Sequence, residues 1–161
     1  MRSRHLSTVI HRAPAEVAAY FRDPDTLPDW AAGLTNTAVR RDGAELVVPT
    51  PMGDWRMRFA EPNDFGVLDH WVTDHTGTVT YNPVRVIEHP EGAEVIFTLR
   101  QRDMTDEQFD QDAAAIAADL ETLRSVLEHS VAERVAPVAE PVEAPSPSII
   151  PRRRGLAAST S

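Results

Sequence analysis

Residues 105–131, TDEQFDQDAAAIAADLETLRSVLEHSV, decide the fold. Thr105 and Gln108 have the spacing of a capping box, in which each side chain satisfies a backbone N–H that the first helical turn leaves free. Phe109, Ala113, Ile116, Leu120, Leu123 and Leu127 then recur at alternating steps of four and three. That is one apolar stripe along a helix, and the pattern carries it to about Val131. Asp110, Asp112, Asp119, Glu121 and Glu128 form a solvated acidic face opposite. A stripe this long needs a sheet to cover it.

The residues upstream supply that sheet. Between Thr35 and Arg102 the pattern is one of short strands punctuated by turns. Asp42-Gly43 marks a hairpin between 36–41 and 45–48. Further runs follow at 55–60, 65–73, 78–88 and 93–102, six strands in a meander. Pro83 falls inside one of them and predicts an edge position, a bulge or a break. Ahead of the meander, Leu6 to His11 reads as a strand, and Pro14 opens a short helix that carries Val17, Tyr20 and Phe21 to Arg22. A second helical turn is expected around Asp25 to Trp30, ending near Gly33.

Composition narrows the chemistry. The 161 residues contain no cysteine, which excludes disulfides, thiolate nucleophiles and Cys-based zinc sites. All 16 basic residues are arginine, so lysine Schiff bases and the P-loop lysine are excluded as well. A net charge of −9 is the wrong sign for a nucleic-acid binder. No apolar run approaches the roughly 20 residues of a membrane span, and no signal-peptide core follows Met1, so a cytoplasmic location is expected. Residues 135–161 hold five prolines and read as a disordered tail, leaving 1–134 as one folded domain. The tail's Arg152, Arg153 and Arg154 read as a solubilising cluster rather than a lipid or nucleic-acid anchor.

The order strand, two short helices, six-strand meander and long C-terminal helix resembles the SRPBCC superfamily, also called START-like or birch-pollen-allergen-like. Val9-Ile-His-Arg-Ala-Pro-Ala-Glu-Val17, continuing through Phe21 to Leu27-Pro-Asp-Trp30, looks like the superfamily's usual beginning. Phe65-Gly-Val-Leu-Asp-His70 and Phe97-Thr-Leu99, with the terminal helix, look like a bacterial polyketide-cyclase-like subgroup. The resemblance covers about residues 5–131 and implies an α+β helix-grip fold: a curved seven-stranded antiparallel sheet around the C-terminal helix, with a cavity between. It implies no single function. Lipid carriers, cyclases, dehydratases, hydroxylase domains and co-chaperones all share the fold.

Three functional readings follow. The first is a carrier or sensor of a small hydrophobic or aromatic molecule, needing no cofactor. Phe109, Ala113, Ile116 and Leu120 would form one wall, with Ala113 and Ala117 leaving space. Trp30, Trp55, Tyr81 and Phe97 could face a planar ligand, with Met57 and Phe59 beside them and the Tyr81 hydroxyl and Asn82 amide fixing its orientation. The second is a cyclase- or dehydratase-like enzyme in which Asp69 or His70 moves a proton. Strand alternation turns either Leu68, His70 and Val72 inward or Val67, Asp69 and Trp71, and the spacing alone leaves that open. The plainer alternative is a polar residue satisfied by its neighbours. The third is a co-chaperone-type interaction module, for which a filled cavity is expected.

Metal is rejected. His70 and His75 are an odd number of strand residues apart, so they point to opposite faces and stand ~16 Å from each other. Arg56 and Arg58 alternate with Trp55, Met57 and Phe59, and the cost of burying unpaired guanidinium groups favours the register that leaves both arginines in solvent. Neither a nucleophile-elbow serine nor a Gly-rich phosphate loop is present.

Overall fold

The computed structural model describes residues 1–135 except Gly33 and Asn36. Of the expected tail only Val135 is described, and the arginine cluster lies outside the described residues.

Strand β1 (Ser3–Ile10) leads to α1 (Pro14–Arg22), whose buried Val17 and Phe21 face the core. Asp23 stands before Pro24, which disfavours continued helix, and the chain resumes in a single turn, α2 (Leu27–Trp30). Six more strands were expected, and seven are present: β2 (Arg40–Asp42), β3 (Glu45–Val48), β4 (Trp55–Phe59), β5 (His70–Thr73), β6 (Val79–Asn82), β7 (Val84–His89) and β8 (Gly92–Arg100). Gly43 opens the two-residue loop between β2 and β3 with φ +62°, the conformation that a type II′ hairpin turn asks of its first residue.

The expected single seven-stranded sheet is not what forms. Strands pair antiparallel in a three-stranded sheet, β1-β8-β7, and a five-stranded sheet, β2-β3-β4-β5-β6. Pro83 is the reason: it has no N–H to continue a ladder, and the run 78–88 changes partners across it. Asn82 pairs with His70 in the larger sheet, whereas Val84 pairs with Phe97 in the smaller one. Of the outcomes expected for Pro83, a break is the one realised.

The two sheets meet at a short seam, where the segment before β5 runs beside β7. Leu68 N–H donates to Val84 O (3.0 Å), Val86 N–H donates to Gly66 O (2.8 Å), and Val67 bridges Arg85. Gly66 adopts φ +67° there, and a Cβ at this position would stand 1.9 Å from Val86 O. Only glycine fits.

Helix α3 (Asp106–Val135) runs a turn beyond the expected end. Its capping box forms as read: Gln108 N–H donates to Thr105 Oγ1 (3.2 Å) and Thr105 N–H to Gln108 Oε1 (2.8 Å). The apolar stripe divides between two clusters. Leu120, Leu123 and Leu127 join the main core with Ile10, Val17, Phe21 and Leu27, while Phe109 and Ala113 pack with Leu99. Arg2, just before β1, and Arg4 within it clamp this second cluster, pairing with Asp106 (2.9 Å) and Asp110 (2.5 Å) and lying over the Phe109 ring. Ile116, between the clusters, is only half buried and touches both. There the helix parts from the larger sheet.

Candidate functional site

That parting leaves a cleft of about 840 Å³. Its walls come from every layer: Phe21 of α1, Trp30 of α2, Trp55 and Met57 of β4, His70 of β5, Phe97 of β8 and Ile116 of α3. Cross-strand register explains the set. Met57 faces Val72, Phe59 faces His70, and His70 faces Asn82, so alternate residues of β4, β5 and β6 share the face turned toward the helix. The arginines between them face outward, where Arg56 pairs with Asp42 (3.1 Å) and Glu45 (2.8 Å). Arg58 lies over the Trp71 ring.

The same alternation separates Asp69 from His70. Leu68, His70 and Val72 are buried on the helix side. Asp69 is buried too, but in a socket of donors: it accepts from Tyr81 Oη (2.5 Å), from Val84 N–H (2.9 Å) and from the Arg85 guanidinium. Burial alone would raise its pKa; the bonds from Arg85, Tyr81 and Val84 outweigh that and hold the carboxyl below the usual range. The Tyr81 hydroxyl, expected to orient a ligand, is thereby committed to Asp69. Its ring stacks on Trp71 (5.2 Å), lies 5.7 Å beneath the Arg100 guanidinium, and reaches the cleft only where β6 forms the edge of its sheet.

His70 is in the opposite condition. Its ring sits among Phe21, Phe59 and Phe97, with centroids 6.3, 5.3 and 6.0 Å away. Desolvation pushes its pKa down to about 4, only partly opposed by the bond to Leu68 O and the charge of Asp69. The imidazole is therefore neutral near pH 7. Nδ1 stands 3.1 Å from Leu68 O. A carbonyl only accepts, so Nδ1 carries the proton and Nε2 bears a lone pair. Two further donors, the indole N–H groups of Trp30 and Trp55, are buried with no hydrogen-bond partner among the described residues.

The remaining expected wall residues divide. Asn82 lines the cleft. Phe59 stands behind His70 and opens on a separate hollow of about 560 Å³ beside Arg22 and Arg58. Phe109 and Ala113 belong to the second cluster, Leu120 to the main core, and Ala117 is exposed. The helix instead meets the cleft through Asp112, Ala115, Ile116 and Asp119. Phe21, Leu99, Arg100, Arg102 and Met104 line it as well. Phe21 was legible only as the apolar face of α1; nothing in its spacing distinguishes a cleft wall from core. Among the described residues no cluster of His, Asp and Glu could hold a metal ion, and no helix is long and apolar enough to cross a membrane.

No family model and no curated protein matches the sequence. Solved structures do match the fold. The Aha1 dimer from Colwellia psychrerythraea is 15% identical with a TM-score of 0.65, covering 80% of this chain and 97% of that one. XoxI from Bacillus cereus is 16% identical with a TM-score of 0.63, covering 81% and 99%. The fold is SRPBCC-like. DynU16, a protein of the dynemicin biosynthetic locus, is 13% identical with a TM-score of 0.62 over 80% of this chain and 48% of its own. At these identities the SRPBCC-like likeness extends to the backbone and not to chemistry.

Proposed function

We propose that this SRPBCC-like protein binds a small lipophilic, partly aromatic molecule in the cleft between the five-stranded sheet and α3. The observation that carries the reading is the cleft itself: about 840 Å³ faced by Phe21, Trp30, Trp55, Met57, Phe97 and Ile116. This is the size of a ligand pocket, and its inner walls are aromatic and aliphatic while Asn82, Arg100, Arg102, Asp112 and Asp119 add polar groups to the lining. Native mass spectrometry of the full chain purified gently from its own source tests it. An extra mass that is released on denaturation, and absent from Ile116→Trp, is the expected result. A clean mass in both proteins would overturn it.

Catalysis of the cyclase or dehydratase type is the second reading, favoured by one observation: an uncharged His70 in the cleft wall. Asp69, engaged by three donors, is a poor candidate for proton transfer. A base whose pKa lies near 4 is also well below the neutral range at which proton abstraction is most effective. Binding is therefore the stronger reading. The interaction-module reading expects a filled cavity, and the cleft weighs against it.

A further inference from the structure

We propose that His70 selects the ligand by polarity: the cleft takes a neutral ring compound whose phenolic or enolic O–H donates to His70 Nε2. The inference rests on reading the cleft as a ligand site and adds what that ligand must carry.

The geometry fixes the sign of the contact. Leu68 O holds the proton on Nδ1, so the neutral ring offers the cleft an acceptor and no donor. Phe21, Phe59 and Phe97 surround the imidazole with carbon, and no hydrogen bond engages Nε2 among the described residues. A hydroxyl placed against Nε2 would match an otherwise unmatched acceptor in the cleft wall. An ether or carboxylate in the same place would bring lone pair against lone pair. A carboxylate there binds only with uptake of a proton, by itself or by the ring, and burial makes that costly near pH 7.

The probes are 1-naphthol, 1-methoxynaphthalene and 1-naphthoate, titrated calorimetrically into the full chain, His70→Phe and Ile116→Trp. The wild-type protein is expected to bind 1-naphthol on the order of tenfold more tightly than the methyl ether, the worth of one hydrogen bond, with naphthoate weakest. His70→Phe should close the gap between the first two. Equal affinity of the wild type for 1-naphthol and its ether would overturn the hydroxyl requirement while leaving cleft binding intact, provided Ile116→Trp abolishes both. Failure of all three to bind the wild type would overturn both readings. Should His70→Phe not fold, ¹⁵N NMR of wild-type His70 decides alone. Nε2 should be unprotonated in the free protein and should shift with 1-naphthol but not with the ether; a protonated Nε2 at neutral pH, or no shift, would overturn the proposal.

Discussion

Asp69 accepts three hydrogen bonds from β6 and β7, whereas His70, the next residue, makes one bond to a backbone carbonyl and lines the cleft. Both side chains are buried. The carboxylate is stabilised in its charged form by a guanidinium, a phenol and an amide; the imidazole, packed among three aromatic rings with one bond to a carbonyl, stays uncharged. Burial by itself therefore decides nothing about role. A buried group saturated with partners braces the fold, and a buried group left with a free lone pair on a cleft is placed to meet something from outside.

The contrast breaks most forcefully at Asp69. Asp69→Ala leaves Arg85, the Tyr81 hydroxyl and the Val84 N–H without their acceptor where β6 hands over to β7. Arg85 is partly exposed and can rehydrate, so the expected loss is about 3 kcal/mol rather than more, read from denaturant unfolding. A loss below about 1 kcal/mol would show that the socket does not brace this seam.

His70 should show itself through pH. Its folded pKa is depressed to about 4 from 6.5, so the unfolded chain binds the extra proton first. Stability is then full above pH 6.5 and falls as pH drops toward 4. Between pH 6.5 and about pH 5 the wild type should lose roughly 2 kcal/mol, and His70→Phe should remove that slope. Asp69 acts in the same direction, but at lower pH, since a depressed carboxyl loses its contribution only as it protonates. Equal slopes in wild type and His70→Phe between pH 6.5 and 5 would contradict a buried neutral imidazole.

Smaller effects sharpen the contrast. Tyr81→Phe removes one of three donors to Asp69 and should cost about 1 kcal/mol without altering affinity for 1-naphthol. Arg58→Ala strips an exposed cation from the outer Trp71 ring and should cost about 0.5 kcal/mol, with binding again unchanged. An affinity change in Arg58→Ala would show that the outer face takes part in the site, and one in Tyr81→Phe that the hydroxyl does so as well as the ring at the cleft edge.

Much of this architecture was legible in advance. Thr105, Gln108 and the stripe from Phe109 to Leu127 announced the long helix, and it forms with that cap and that buried side. Gly43 announced a hairpin, and Pro83 an interruption. The cleft was legible in part. Trp30, Trp55, Met57, Asn82, Phe97 and Ile116 line it, but Phe109, Ala113 and Leu120 pack as core, although all four helix residues share one stripe. Helical spacing says which side of α3 is covered and not how far the covering sheet stands from it.

By itself, then, the sequence determined what depends on neighbours in the chain: element order, helix cap, turn chemistry, the absence of cysteine and lysine chemistry. Tertiary structure decided what depends on distant partners. Whether Asp69 or His70 faces the helix turns on a register that a one-residue slip would invert, and it was set by the pairing of Phe59 with His70 and of His70 with Asn82. Which sheet each half of the run 78–88 joins was set the same way, by His70 claiming Asn82 on one side of Pro83 and Phe97 claiming Val84 on the other.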